Sequence, residues 1–138
     1  MKILVSACLL GENCKYNGGN NHCPKVEAFV AGHAVIPVCP ELEAGLGCPR
    51  VPMEIVNGVL INKEGTVVDA KVRAAVDGIL QRIEGENVDC AVLKSRSPTC
   101  GVRQVYDGTF SGTLTDGAGV LTQALQRAGI RVIDSEEV

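Results

Sequence analysis

Residues 2–14 read KILVSACLLGENC, and the change of character within them decides the fold. Lys2 to Ala7 is short, apolar and followed by the polar, Gly-containing run GENCKYNGGNNHC. A continuous apolar run of that length, closed by a loop, is the pattern of a strand buried on both faces. The same pattern recurs. A short helix is expected from Pro24, a residue tolerated in a first helical turn, to Gly32, and His33 to Val38 then forms a second buried strand. Cys90 to Lys94 is a third, and Arg131 to Ile133 closes the chain as a fourth. Between them, Val72, Val76, Ile79, Leu80 and Ile83 recur at helical spacing, with Asp69 as a cap and Gly85 as a stop. Val120, Leu121, Ala124, Leu125 and Ala128 mark a last helix that ends at Gly129.

Strands alternating with helices predict an α/β fold of a single domain over residues 1–138. Its sheet is mostly parallel with helices on both faces, Rossmann-like in kind. Asn-Gly and Glu-Gly turns between β-prone pieces in Ile55 to Val68 add a β-hairpin beside that sheet. Pro40 to Pro52 reads as loop, and Val102 to Phe110 as an extended segment containing a turn. A chain of 138 residues, 46% hydrophobic, buries one core rather than two.

The formal net charge of -3, with Lys and Arg scattered, gives no electrostatic footprint for nucleic acid, which is not a favoured partner. No segment approaches membrane-spanning length, and the apolar start is too short for a signal peptide, so a cytoplasmic protein with no membrane association is expected. In a reducing cytosol seven cysteines, an odd number, point to metal binding or thiol chemistry rather than disulfides.

In open parallel sheets the ligand crevice lies outside the carboxyl ends of the strands. Cys8 follows the first strand, Cys39 the second, and Cys100 lies in the loop after the strand ending near Lys94. Three distant segments therefore deliver a thiol to one edge, in the contexts SACLLG, VCPE and SRSPTCG. A single such cysteine is more simply a small buried hydrophobe; three together favour a site for a metal or an iron-sulfur cluster. Structural zinc is disfavoured, because no CxxC is present and zinc normally closes its shell with four ligands. Cys14 suits a fourth ligand and a loop thiol about equally. Cys90 is most simply core, Cys23 and Cys48 are not assigned, and neither His22, in a loop near Cys23, nor His33 carries a strong case for ligation.

SACLLGENCKYNGG, VIPVCPELEAGLGCPRVPMEI, LKSRSPTCG and YDGTFSGTLTDGAGVLTQAL, in that order and over essentially the whole chain, resemble the family that contains 2-thiouracil desulfurase. The resemblance implies a 4Fe-4S cluster held by Cys8, Cys39 and Cys100, with one open iron that receives the sulfur of a thiolated base. It also implies catalytic roles for Glu41 and Ser97. The chain departs from the family pattern at Lys15 and Asn17, and at Ala44, where paired glycines are usual. On that basis the expected activity is non-redox hydrolysis of the C=S bond of a small thiolated pyrimidine such as 2-thiouracil. The competing readings are a cluster- or zinc-binding sensor and a persulfide sulfur carrier.

Read without the resemblance, Glu41 after Pro40 equally suits a helix N-terminus, and Ser97 before Pro98 a turn. Lys94, Arg96 and Arg50 are candidates to orient a polar base, and Glu54 offers a second carboxylate. The TDGAG run before the last helix lacks the spacing of a phosphate-binding motif, so a tight turn is expected there.

Overall fold

A computed structural model describes residues 1–138. The elements are β1 (Lys2–Ser6), α1 (Pro24–Val30), β2 (Ala34–Val38), α2 (Pro40–Glu43), β3 (Met53–Val56), β4 (Val59–Asn62), α3 (Asp69–Ile83), β5 (Cys90–Leu93), β6 (Gln104–Tyr106), β7 (Leu114–Asp116), α4 (Val120–Arg127) and β8 (Arg131–Asp134). A turn of 3-10 helix, Ala7–Leu10, follows β1 directly.

Four strands form a parallel sheet in the order β2-β1-β5-β8. Side chains alternate across a strand, and this sheet uses both faces. Ile3, Val5, Cys90 and Val92 turn to one side and pack with Val26 and Val30 of α1. Leu4, Ala91 and Leu93 turn to the other and meet Val72, Val76, Ile79 and Ile83 of α3 and Leu121 and Leu125 of α4. The expected sheet, covered by helices on both faces, is therefore the observed one. The chain runs from β1 to β2 on one side and then crosses to β5 on the other. The order reverses beside β1, which makes the carboxyl ends of β1, β2 and β5 the topological switch point.

Two hairpins lie beyond that edge rather than one. The expected hairpin pairs β3 with β4 through Asn57 and Gly58, both at positive φ as a tight two-residue turn requires. The second pairs β6 with β7. It was not legible because all three residues of β7 are exposed and show no alternation. The loop reading of Pro40 to Pro52 also misses α2, whose four residues are too few to show a period. The expected role of Asp69 as a helix cap is corrected as well. It is the first helical residue, and its carboxylate reaches out of α3 to accept from the Leu60 N–H while also accepting from Arg73 one turn along the same helix. No helix is long and apolar enough to cross a membrane.

Candidate active site

Cys8, Cys39 and Cys100 line one cavity of about 530 Å³ at the switch point, together with Cys14, Glu41, Ser97 and Thr99. Each thiol is set by the loop that carries it. The Cys8 carbonyl accepts from the N–H groups of Gly11 and Asn21, at 3.2 and 3.0 Å, and the Asn21 side-chain amide reaches the Cys8 Sγ at 3.4 Å. Cys39 precedes α2 in extended conformation, and its N–H donates to the Glu43 carboxylate at 3.3 Å.

Cys100 is held most tightly. The first turn of α4 spends its free amides on this loop, with Val120 N–H on the Pro98 carbonyl and Leu121 N–H on the Thr99 carbonyl. Thr122 Oγ1 donates to the Cys100 carbonyl at 3.0 Å. The approach is possible only because residue 119 is Gly: a Cβ there would lie 2.4 Å from the Thr99 carbonyl carbon. Gly101 is under the same constraint, since its Cβ would meet the Ser97 carbonyl oxygen at 2.7 Å. The Gly-rich run before α4 thus serves loop packing and leaves these amides none to offer an anion.

Burial governs the chemistry of these thiols. It pushes Cys100 up to about 12, with hydrogen bonds from Ser6 and Thr99 opposing it only in part. It also raises Cys8, against the pull of Asn21 and Lys94, and Cys14, where the nearby Cys39 adds to the effect. Left alone, these groups hold their protons at neutral pH, whereas coordination to a metal removes them. All seven cysteines are free. No group of three or more His, Cys, Asp and Glu closes around a point as a lone metal ion demands. Soft sulfur donors spread around a cavity suit a larger iron-sulfur unit better than a single zinc ion.

Beside the thiols lies a chain of polar groups. Glu41 Oε1 is 3.5 Å from Arg50 Nε, too far or misaligned for a hydrogen bond, and that buried Nε has no other partner. The remaining Arg50 nitrogens donate to the carbonyls of Gly47 and Cys14, at 3.0 and 2.9 Å. The Thr99 hydroxyl donates to Glu41 Oε2 at 3.3 Å and lies 3.1 Å from Ser97 Oγ. Burial raises the Glu41 carboxyl above its ordinary value, outweighing Arg50 and Thr99.

The structure thus brings the sequence candidates Cys8, Cys39, Cys100, Glu41 and Ser97 to one cavity, and places Cys14, Lys94, Arg96, Arg50 and Glu54 on its lining. Their uses differ. Lys94 donates to the Ser95 carbonyl and hydroxyl, and burial, with Arg96 nearby, lowers its ammonium below the usual lysine range. Arg96 pairs with Glu136 and stands at positive φ, a strained backbone for a residue other than Gly. Glu54 accepts from the N–H groups of Gly108 and Phe110, so its carboxylate ties the second hairpin to the first. Cys48 donates to loop carbonyls, Cys90 is core, His22 pairs with Glu27, and His33 meets the amino terminus. Nothing in the local sequence marks Thr99 as part of the site. Tyr16, Tyr106 and Phe110 also line the cavity, three of the four aromatic residues in the chain. Their scarcity elsewhere was the available signal.

Comparison with known proteins gives the family of the chain and the likeness of its fold. The family model described as 2-thiouracil desulfurase matches residues 3–137. The chain is 35% identical over 146 residues to the uncharacterized protein YbbK of Bacillus subtilis (strain 168), covering 99% of this chain and 97% of that one. The structure is similar to that of the 4Fe-4S-dependent thiouracil desulfidase TudS, with a TM-score of 0.92 and 32% identity over 99% of this chain and 92% of the other.

Proposed function

Because the chain belongs to the 2-thiouracil desulfurase family, we propose that it hydrolyses the C=S bond of a small thiolated pyrimidine, such as 2-thiouracil, to the oxygenated base and sulfide without net redox. The observation that carries this reading is the meeting, in one cavity, of three thiols from the loops after β1, β2 and β5 with a partly buried carboxylate and two hydroxyls. Cys8, Cys39 and Cys100 would hold a 4Fe-4S cluster. When bound, the cluster supplies a Lewis-acidic iron not taken by a protein ligand, whose affinity for soft sulfur makes the thiocarbonyl carbon electrophilic.

The chain's own groups supply the rest. Tyr16, Tyr106 and Phe110 offer flat apolar surface to a planar heterocycle and help to exclude bulk water. Glu41, its carboxyl raised by burial, is the base that takes the proton of the attacking water. Arg50, fixed by two loop carbonyls, keeps that carboxylate in place. Ser97 hands a proton between the reacting atoms and this base. A sensor or a persulfide carrier has no need of a carboxylate and hydroxyls arranged in this way, and neither reading is favoured.

Glu41→Ala tests the assignment. Turnover should fall by about 10²-fold or more, as for loss of a general base, while iron and sulfide content stay at wild-type levels. If the variant loses its iron instead, Glu41 is a structural residue and the proposed base is wrong.

A further inference from the structure

Asn13 to Tyr16 present four consecutive backbone carbonyls, and one short segment of the chain binds all four. The Cys48 thiol lies 3.1 Å from the carbonyl oxygens of both Asn13 and Lys15. Arg50 takes the two between and after: its Nη2 donates to the Cys14 carbonyl at 2.9 Å, and its backbone N–H to the Tyr16 carbonyl at 2.7 Å. A further bond from the body of the protein, from the Cys39 thiol to the Cys14 carbonyl, is long at 3.8 Å. The bonds of Lys15 with Gly18 and Gly19 close a turn inside the loop and do not tie it down.

The stretch so held is part of the cavity wall. Cys14, Lys15 and Tyr16 line the cavity, whereas Cys48 does not. Tyr16 is 44% exposed, so packing does little to fix its ring, and the place of its backbone decides where the ring stands. Lys15 travels with it, its Nζ 5.9 Å from the ring centroid. The two halves of the clamp differ in strength. Arg50 is a rigid anchor, with its side chain 6% exposed and Nη1 tied to the Gly47 carbonyl. Cys48 has a single, weakly acidic proton to share between two carbonyls, and it belongs to neither apolar cluster of the fold. Its bonds to this loop are the one evident use of its thiol.

From this geometry we propose that Cys48 is a positioning residue for the substrate, which with Arg50 holds the Asn13 to Tyr16 stretch at the height that sets the Tyr16 ring against the thiolated base. The inference rests on the hydrolytic reading above and adds what holds the substrate-facing wall in place. Cys48 acts through Tyr16, on the side of the cavity away from Ser97 and Thr99. A contact of that kind binds substrate and transition state alike, so its loss appears in KM and leaves kcat as it was.

Cys48→Ala and Cys48→Ser test the clamp, since alanine removes the donor and serine keeps one. In the anaerobically reconstituted holoenzyme with 2-thiouracil, Cys48→Ala should raise KM by about 5-fold with kcat per cluster unchanged, and Cys48→Ser should restore most of it. In a Tyr16→Ala background, Cys48→Ala should raise KM no further. Hydrogen exchange of the same holoenzyme, read by mass spectrometry without substrate, gives a signal independent of turnover. Amides from Lys15 to Gly19 should exchange faster in Cys48→Ala and return toward wild type in Cys48→Ser, with the Ser95 to Gly101 loop unaffected. An unchanged KM overturns the proposal whether or not exchange quickens. So does a KM rise without faster exchange, one that persists undiminished in Tyr16→Ala, or one matched by a fall in kcat, which would make Cys48 a general support of the fold. If the wild-type holoenzyme releases no sulfide while Cys48→Ala still quickens exchange of Lys15 to Gly19, the hydrolytic reading fails and the clamp on Tyr16 stands.

Discussion

Two loops that each bring thiol sulfur to the cavity are built in opposite ways. The loop from Ser95 to Gly101 is largely buried, and its carbonyls are bound one after another by the start of α4. The loop from Gly11 to His22 is mostly exposed and rich in Asn and Gly. Its ties are turn bonds, such as Lys15 N–H to the Gly19 carbonyl at 3.0 Å and Asn20 to Asn13 at 3.0 Å, and bonds to the carbonyls of Asn13 to Tyr16 from Cys48 and Arg50. The first holds Ser97, Thr99 and Cys100 to fixed positions, as proton transfer requires; the second carries Tyr16 and Cys14 on the other side of the same cavity. Buried contacts and satisfied backbone groups set local stability, so the rigid side suits chemistry and the looser side suits admission of a substrate.

The largest effect should come from removing a thiol on each side. Cys100→Ser is expected to lose iron and activity together, because serine on this loop leaves a harder oxygen where soft sulfur is needed. Cys14→Ser should keep both, as a residue that lines the cavity without holding the cluster. Iron and sulfide analysis of the two purified variants checks the pair, and loss of the cluster in Cys14→Ser would make Cys14 a fourth ligand and close the open iron.

A smaller contrast is set by glycine. In Gly119→Ala the new Cβ meets the Thr99 backbone at 2.4 Å, and the loop must move. A loss of about 1–3 kcal/mol is expected from this overpacking. In the exposed loop, the Cβ of Gly19→Ala meets only the side-chain oxygen of Asn17, at 3.1 Å, which can give way. That change should stay within about 0.5 kcal/mol. Denaturant unfolding of both variants decides whether the two loops differ as described; equal losses would erase the distinction.

The same contrast explains how much could be read from the sequence. β1 and β5 are nearly continuous apolar runs, and the parallel sheet they imply is enough to put Cys8, Cys39 and Cys100 at one edge. Elements that bury little left no pattern: β7 is exposed throughout, and α2 is a single turn. Asp69 looked like a cap, yet its partner is Leu60 in a hairpin strand, a tertiary contact that local propensity does not encode. Thr99 was invisible for the same reason. Its partner Glu41 lies 58 residues away, and the two meet only because β2 and β5 flank β1. The roles of Glu41 and Ser97 came from resemblance, and the hydrogen bonds that join them came only with the structure.

The central claim is that an iron-sulfur site on three thiols, with Glu41 and Ser97 beside it, removes sulfur from a thiolated pyrimidine by hydrolysis. It is tested most directly by reconstituting the protein anaerobically with iron and sulfide, adding 2-thiouracil, and measuring uracil and sulfide against protein from which iron was withheld. Equal amounts of uracil and sulfide, formed over many turnovers only in the iron-loaded protein and with no external reductant, are the predicted result. Full activity in the iron-free protein would contradict it.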